Sequence, residues 1–309
     1  MARVLRLRKA AAATWQEAMQ QYLWFKQAQG LRDITIKGHR DVIGLFFRRH
    51  PDAWTGELLE SVYSFMGERI KPATYNIRRN YLRQFFDWCV KEGVFTDNSL
   101  DGFKKRKDDG RMTCLDIDTV RRLIALPDRT SFAGLRDYAL LCFVLDTGAR
   151  PGEAFSLKPD DFNLRALEAR IPPGVAKTGV SRTLPLSPIT AQAVRTLMSS
   201  RHPSWDSSVP VFCSAEGTPL RNDTWGDRLE KYAKELGVKF HPYALRHTFA
   251  TQFLRAGGNA LALQRLMGHS TLEMTKRYVH LTEGDVRKEH SKASPLIMVK
   301  QEGCRMRGL

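Results

Sequence analysis

Two stretches near the C-terminus decide how this chain reads: YALRHTF (Tyr243–Phe249) and LMGHSTLEMTKRY (Leu266–Tyr278). They supply Arg246, His269 and Tyr278. A second arginine, Arg150, stands upstream in DTGARPGE (Asp146–Glu153). The local grammar is helical. Gly148 suits the end of one helix and Pro151 the first position of the next, which puts Arg150 at a helix N-terminus. Pro242 likewise opens a helix carrying Arg246 in its first turn. Ser270 with Glu273 has the spacing of a capping box, so His269 is expected just ahead of a helix holding Tyr278 about two turns on. Helix N-termini favour anions through free N–H groups and the helix dipole. Two guanidiniums fork onto phosphate oxygens at any working pH. A phenol of ordinary pKa about 10 attacks phosphorus only with help from a base or a cationic site. The set therefore points to gripping a phosphodiester and attacking it.

The whole chain agrees with a polyanionic partner. Its 309 residues carry 49 Lys+Arg against 33 Asp+Glu, a net charge of +16. The excess is even: residues 1–111 hold 21 Lys+Arg against 13 Asp+Glu, and residues 112–309 hold 28 against 20. Both halves are therefore expected to face the polymer. The five cysteines are scattered, with no CxxC pair, which argues against a zinc site or a disulfide framework and suits a reducing cytoplasm. No stretch approaches the ~18 apolar residues of a membrane span, and the start MARVLRLRKAAAA is too short in its apolar part for a signal peptide. Neither a membrane nor a small-molecule substrate is indicated.

Residues 14–103 read as a helical domain. Thr14 and Glu17 form a capping box for a first helix, followed by helices at about 35–49, 55–69 and 72–93. In the last, Tyr75, Leu82, Phe85, Phe86 and Trp88 keep a helical period, while Arg78, Arg79 and Arg83 fall largely elsewhere. That polar side is a DNA-phosphate face or a solvated one. KKRKDDGR (104–111), with Lys104 and Lys105, reads as a basic linker over 104–112 that could also lie along DNA. From 113 the pattern gives helices at 116–126, 131–147, 188–200, 222–236, 243–256, 260–267 and 271–281. Segments 162–171 and 175–186 give a small antiparallel sheet. The fold class is mainly α: a helical bundle plus an α+β domain. In the apparent hairpin, Lys177 is either a solvated lysine or a proton donor for a departing sugar oxygen. His247 and His280 read as structural, and no carboxylate group accompanies the histidines to hold a catalytic metal.

These motifs resemble those of the tyrosine recombinase (phage integrase) family. TGARPGEAFSL is similar to its first arginine box, ALRHTFAT to its second, and LMGHSTLEMTKRYVH to its His-to-Tyr segment. KTGVSRTLPL is similar to its lysine hairpin, with Arg182 five residues after Lys177. The resemblance spans about residues 14–285. It implies a SAM-like core-binding domain at 14–103 and a catalytic domain at 113–285, forming a clamp on double-stranded DNA. Arg150 and Arg246 would bind the scissile phosphate. Lys177 would protonate the 5′-oxygen, His269 would bond the phosphate or assist the tyrosine, and Glu153 would support them. Tyr278 would form a 3′-phosphotyrosyl link, with neither ATP nor metal. Residues 1–13 precede the first helix, so the two-domain, Xer-like layout without an arm-binding domain is expected. A tail at 286–309 would dock Pro295–Val299 on a neighbour in a homo-tetramer on two DNA sites. One position departs from the family: the usual histidine three before the second arginine is Tyr243, which is expected to line the catalytic site in its place, with His241 as an alternative. The implied function is site-specific recombination for a mobile element or replicon. A type IB topoisomerase-like enzyme and an inactive DNA-binding protein are the alternatives.

Overall fold

In a computed structural model, the described residues are 12–107 and 113–279, with 287, 290 and 291 besides. Most of the N-terminal extension, residues 108–112 of the linker, His280 and the docking segment 295–299 lie outside them. The chain divides into two compact units at residue 110.

The first unit is a bundle of α1 (Trp15–Ala28), α2 (Asp33–Arg49), α3 (Leu58–Gly67) and α4 (Pro72–Lys91), with a 3-10 turn at Pro51–Trp54. Thr14 caps α1 by accepting from Glu17 N–H at 3.2 Å, and Glu17 reaches back to Ala13 N–H at 3.0 Å. The expected third helix is shorter than its sequence window, because Pro51 starts a separate 3-10 turn and α3 begins only at Leu58. The core is aromatic: Tyr22, Phe46, Phe47, Phe65, Phe85 and Phe86 are buried almost completely. Phe46 meets Phe65 and Phe86 edge-on at 5.3 and 5.9 Å. Such pairs add about 0.5–1.5 kcal/mol each beyond the area they bury.

Arg78 corrects the expected DNA face of α4. It is 7% exposed, lies 4.2 Å over the Phe65 ring, and donates to Glu68 Oε2 at 2.8 Å and to Phe65 O. It is a core arginine. Arg79 donates to Phe103 O at 2.5 Å, and Arg83 pairs with Asp101 at 2.9 Å while staying partly exposed. The first linker residues are tied back to the bundle. Asn76 and Arg106 exchange two 2.9 Å hydrogen bonds and Arg106 lies over the Tyr75 ring, while Lys104 and Lys105 just before it stay exposed.

The second unit contains α5 (Ile117–Ala125), α6 (Phe132–Thr147), α7 (Pro151–Ala154), α8 (Pro188–Ser199), α9 (Asn222–Leu236), α10 (Pro242–Arg255), α11 (Ala260–Met267) and α12 (Glu273–Lys276). Strands β1 (Phe162–Asn163), β2 (Glu168–Ile171) and β3 (Arg182–Pro185) form an antiparallel sheet in chain order. Ala169 pairs with Phe162 on one side and Leu184 on the other. Ala169, Ile171 and Leu184 face inward, the period of two that a half-buried sheet requires. Helix α6 is the hub. It is apolar nearly all round, as a helix enclosed by others must be, and it packs on α8 and α10. Gly148 ends it at φ +64°, where a Cβ would lie 2.3 Å from the Phe249 ring. Glycine is therefore required twice over, for the left-handed turn and for the close approach of α10.

The C-terminal helix is the main departure from the sequence pattern. It spans only Glu273–Lys276, its first turn begins at Leu272, and Ser270 points to the Met274 sulfur instead of capping it. Tyr278 lies in the turn just beyond α12, not within a helix.

Candidate active site

The site is built around the C-terminal end of α11. A helix leaves its last carbonyls without partners, and here arginines supply them. Arg182 donates to Leu266 O at 2.8 Å. Arg150 donates to Met267 O and Gly268 O, both at 3.2 Å. Arg246 donates to Met267 O at 2.8 Å and to Gly148 O. Gly268, left-handed at φ +59°, turns the chain so that these oxygens converge. Three guanidiniums would repel one another in a buried site. The partial negative charge of the helix end and the Glu153 carboxylate hold them together.

Glu153 is the hinge of the set. It accepts from Arg182 at 2.5 Å and from Arg150 at 3.1 Å. Its oxygens also take the backbone N–H groups of Arg150 at 3.2 Å and Lys177 at 3.3 Å. Burial pushes its pKa up, but the bonds and charges of Arg182 and Arg150 outweigh burial and hold the carboxyl below its ordinary value. One carboxylate against three arginines leaves a local surplus of two positive charges in a site where Arg150 and Arg246 are 9% and 3% exposed. Burial, then the neighbouring Arg150, lowers even Arg246 to about 10, which still leaves it charged at neutral pH.

His269 joins through Arg246, whose Nη2 lies 3.0 Å from His269 Nε2. A guanidinium only donates, so Nε2 accepts. The ring proton then sits on Nδ1 and is given to Thr275 Oγ1 at 2.8 Å. Burial and the flanking Arg246, Arg150 and Arg182 lower His269 to about 4, so it is neutral at pH 7. Its ring lies parallel to that of Tyr278, with centroids 6.4 Å apart. Burial raises the Tyr278 pKa, and the charges of Arg246, Arg277 and Arg150 pull against that rise.

Arg150, Arg246, His269 and Tyr278, expected as a set, are brought together. Lys177 is on the β2–β3 connection with its backbone tied to Glu153 and its side chain exposed. Arg182, expected on DNA, is instead an internal member of the arginine set, its side chain 9% exposed. Tyr243 is 48% exposed on the first turn of α10. His241 is the residue before that helix, 6.5 Å from the His247 ring. The helix-start cradle expected from the sequence is only partly present. Arg150 does precede α7, but Arg246 is the fifth residue of α10, and His269 follows the end of α11.

The structure gives two residues places beyond those read from their sequence context, His247 and Thr275. His247 Nδ1 lies 2.7 Å from the Tyr278 hydroxyl, the shortest polar contact that hydroxyl makes among the described residues. Its signal was its place directly after Arg246. Neighbours in a helix point about 100° apart, so when one enters the arginine set the next addresses a different partner. Thr275, fully buried and fixing His269, carried no such signal. Among the described residues, no group of three or more His, Cys, Asp or Glu is arranged to hold a metal ion, and no helix is long and apolar enough to cross a membrane.

Comparison with known proteins places these features. Residues 113–284 match the phage integrase family. A tyrosine recombinase XerC from Pelobacter propionicus is 27% identical over 241 residues, covering 77% of this chain and 78% of its own. Among solved structures, the Tn1549 transposon integrase in complex with a circular intermediate DNA superposes with a TM-score of 0.73 at 19% identity, covering 91% of this chain and all of the other. The XerH site-specific recombinase bound to palindromic difH substrate gives 0.67 at 17% identity over 91% and 85%. At those identities the structures establish the fold.

Proposed function

The chain belongs to the phage integrase family, and from that premise we propose how its site is used. It is a tyrosine recombinase, an enzyme that cuts and rejoins DNA site-specifically. In our reading Tyr278 is the nucleophile. Its oxygen attacks a phosphodiester held by Arg150 and Arg246, forming a 3′-phosphotyrosyl link as the bond to the 5′-oxygen breaks. Lys177 reaches in from the β2–β3 connection to protonate that oxygen. A 5′-hydroxyl of a partner strand later attacks the phosphotyrosine and frees Tyr278. Glu153, Arg182 and Thr275 keep the arginines and His269 in place.

The observation that carries this reading is the surplus of positive charge beside the Tyr278 ring. Fixed donors in a dry site need no reorganisation as charge develops on the phosphate, and each is worth about 10²–10³ in rate. We also propose that the first unit binds the DNA flanking the cut, using Arg79, Arg83, Lys104 and Lys105. The active assembly is a tetramer on two sites, working in the cytoplasm on a mobile element or replicon. The DNA complexes of the Tn1549 integrase and XerH support double-stranded DNA as the partner.

The test is a nicked suicide duplex, its sequence enriched by the protein from a random library, incubated without metal or ATP. A covalent protein–DNA adduct on a denaturing gel, absent in Tyr278→Phe, is the expected result. Tight binding with no adduct from the unaltered protein would overturn it.

A further inference from the structure

We propose that His247 is a catalytic residue: its Nδ1 takes the proton from the Tyr278 hydroxyl as that oxygen attacks phosphorus, and returns it when the strand is rejoined. The inference rests on the reading of Tyr278 as nucleophile. It begins from a distance of 2.7 Å between Nδ1 and the phenol oxygen, a normal reach for proton transfer. The ring centroids are 5.7 Å apart and tilted by 42°, so the contact is made edge-on through the nitrogen and not by stacking. His269 is not placed for the task. Its ring lies parallel to the Tyr278 ring, and its accepting nitrogen is already taken by Arg246.

The surroundings of His247 lower its pKa, which keeps it unprotonated but weakens it as a base. A proton acceptor must be neutral, and apart from the Tyr278 phenol the titratable neighbours that act on His247 are basic: Arg277 beyond α12, His241 before α10, and Arg246 beside it. Burial and those neighbours lower its pKa to about 4, so the imidazole carries no proton to spare at neutral pH. The step balances. The O–H bond of Tyr278 breaks and the proton moves to Nδ1 of an imidazole protonated on Nε2. The oxygen–phosphorus bond forms, and the 5′-oxygen leaves with a proton from a separate donor. Rejoining reverses each transfer. Position on α10 explains how one helix serves both needs. Arg246 faces the α11 carbonyls, and His247, one residue on, faces the nucleophile.

The experiment compares unaltered protein, His247→Ala, His247→Gln and Tyr278→Phe on the suicide duplex, with DNA binding and thermal unfolding measured for each. At pH 7, His247→Ala is expected to form adduct about 10²–10⁴-fold more slowly, the usual range for a lost proton acceptor. Its rate should climb about tenfold per pH unit from 7 to 9, as the phenol ionises without help. The unaltered protein should stay nearly flat over that range. Imidazole in the buffer should speed His247→Ala and leave Tyr278→Phe inactive. A 5′-bridging phosphorothiolate, whose leaving sulfur needs no proton, should rescue Lys177→Ala but not His247→Ala. A His247→Ala protein with unaltered rate and pH profile overturns the inference. So does one that is slow but pH-flat and deaf to imidazole, or one rescued by the thiolate. If the unaltered protein forms no adduct at all, the reading of Tyr278 fails first.

Discussion

The second unit holds two buried arginine clusters, and their difference separates a structural site from a chemical one. Around Asp137, one fully buried carboxylate is the centre. Arg136 clasps Oδ1 at 2.8 and 3.0 Å, while Arg228 and the Tyr232 hydroxyl take Oδ2. Every lone pair faces a donor, so the cluster is closed. Around the end of α11 the centre is cationic. Three arginines share one carboxylate and a fan of backbone carbonyls, and positive charge is left over. The tyrosines tell the same story. Tyr232 donates to a carboxylate, and burial with Asp137 pushes its pKa up to about 12, so it stays a phenol. Tyr278 sits among cations that oppose the effect of burial, with an imidazole on its oxygen. The first cluster leaves one positive charge over, on an Arg228 side chain that is 31% exposed and so screened by water. The second is short of an anion.

Removing the two hydroxyls is the sharpest way to break that contrast. Tyr278→Phe should abolish the covalent adduct and shift unfolding by about 1 kcal/mol or less, the net value of one neutral hydrogen bond. Tyr232→Phe should leave adduct formation intact yet cost about 1.5–3 kcal/mol, because a buried carboxylate loses a donor. Equal effects of the two on either readout would erase the distinction. Larger on stability than either hydroxyl is Asp137→Ala, expected to cost about 3–5 kcal/mol in urea unfolding by stranding Arg136 in the core. A smaller effect isolates the unfilled charge. Sulfate at ten times its dissociation constant should stabilise the unaltered protein by about 1.4 kcal/mol. That gain should vanish in Arg246→Ala and persist in Arg228→Ala. Sulfate stabilisation that survives Arg246→Ala would place the anion elsewhere.

How much of this was legible in the sequence follows from how local each determinant is. Helix limits in the second unit were readable because Ser131, Asp116, Ser187 and Asn259 cap their own helices, and Gly148, Gly237 and Gly268 end theirs in left-handed turns. The two arginines, His269 and Tyr278 were readable as residue types in motifs. What holds them was not. Leu266, Met267 and Gly268 act through backbone oxygens, and no side-chain pattern announces an orphan carbonyl that an arginine more than a hundred residues away will claim. The S-T-L-E capping box misled because a capping box is a local preference. His269 is instead pinned by Arg246 and Thr275, so the chain around it follows those bonds and the helix starts late. His247 was passed over for a similar reason, since its partner lies 31 residues on.

The first unit offers the smallest and most discriminating comparison, between two arginines on one helix. Arg78 and Arg83 are five residues apart on α4, and charge alone would assign both to DNA. Burial separates them. Arg78 has a side chain 9% exposed, a ring beneath it and a carboxylate at 2.8 Å. Arg83 is 38% exposed, and its partner Asp101 is 66% exposed, so water screens the pair. Arg78→Ala is therefore expected to cost about 1–3 kcal/mol of stability, since the partly buried Glu68 loses a partner and Phe65 O loses a donor. Arg83→Ala should cost about 0–1 kcal/mol, the value of an exposed ion pair. On DNA the order should invert. Arg83 can exchange Asp101 for a phosphate at little cost, because both partners are accessible. Its removal should lower the slope of log affinity against log salt by about one. Arg78 would have to leave the Glu68 carboxylate and an aromatic face first, so its removal should leave that slope unchanged in protein that remains folded. Titrating both variants across salt, with urea unfolding in parallel, separates charge that supports the bundle from charge available to DNA. A slope change in Arg78→Ala alone would mean that burial is the wrong criterion for dividing them.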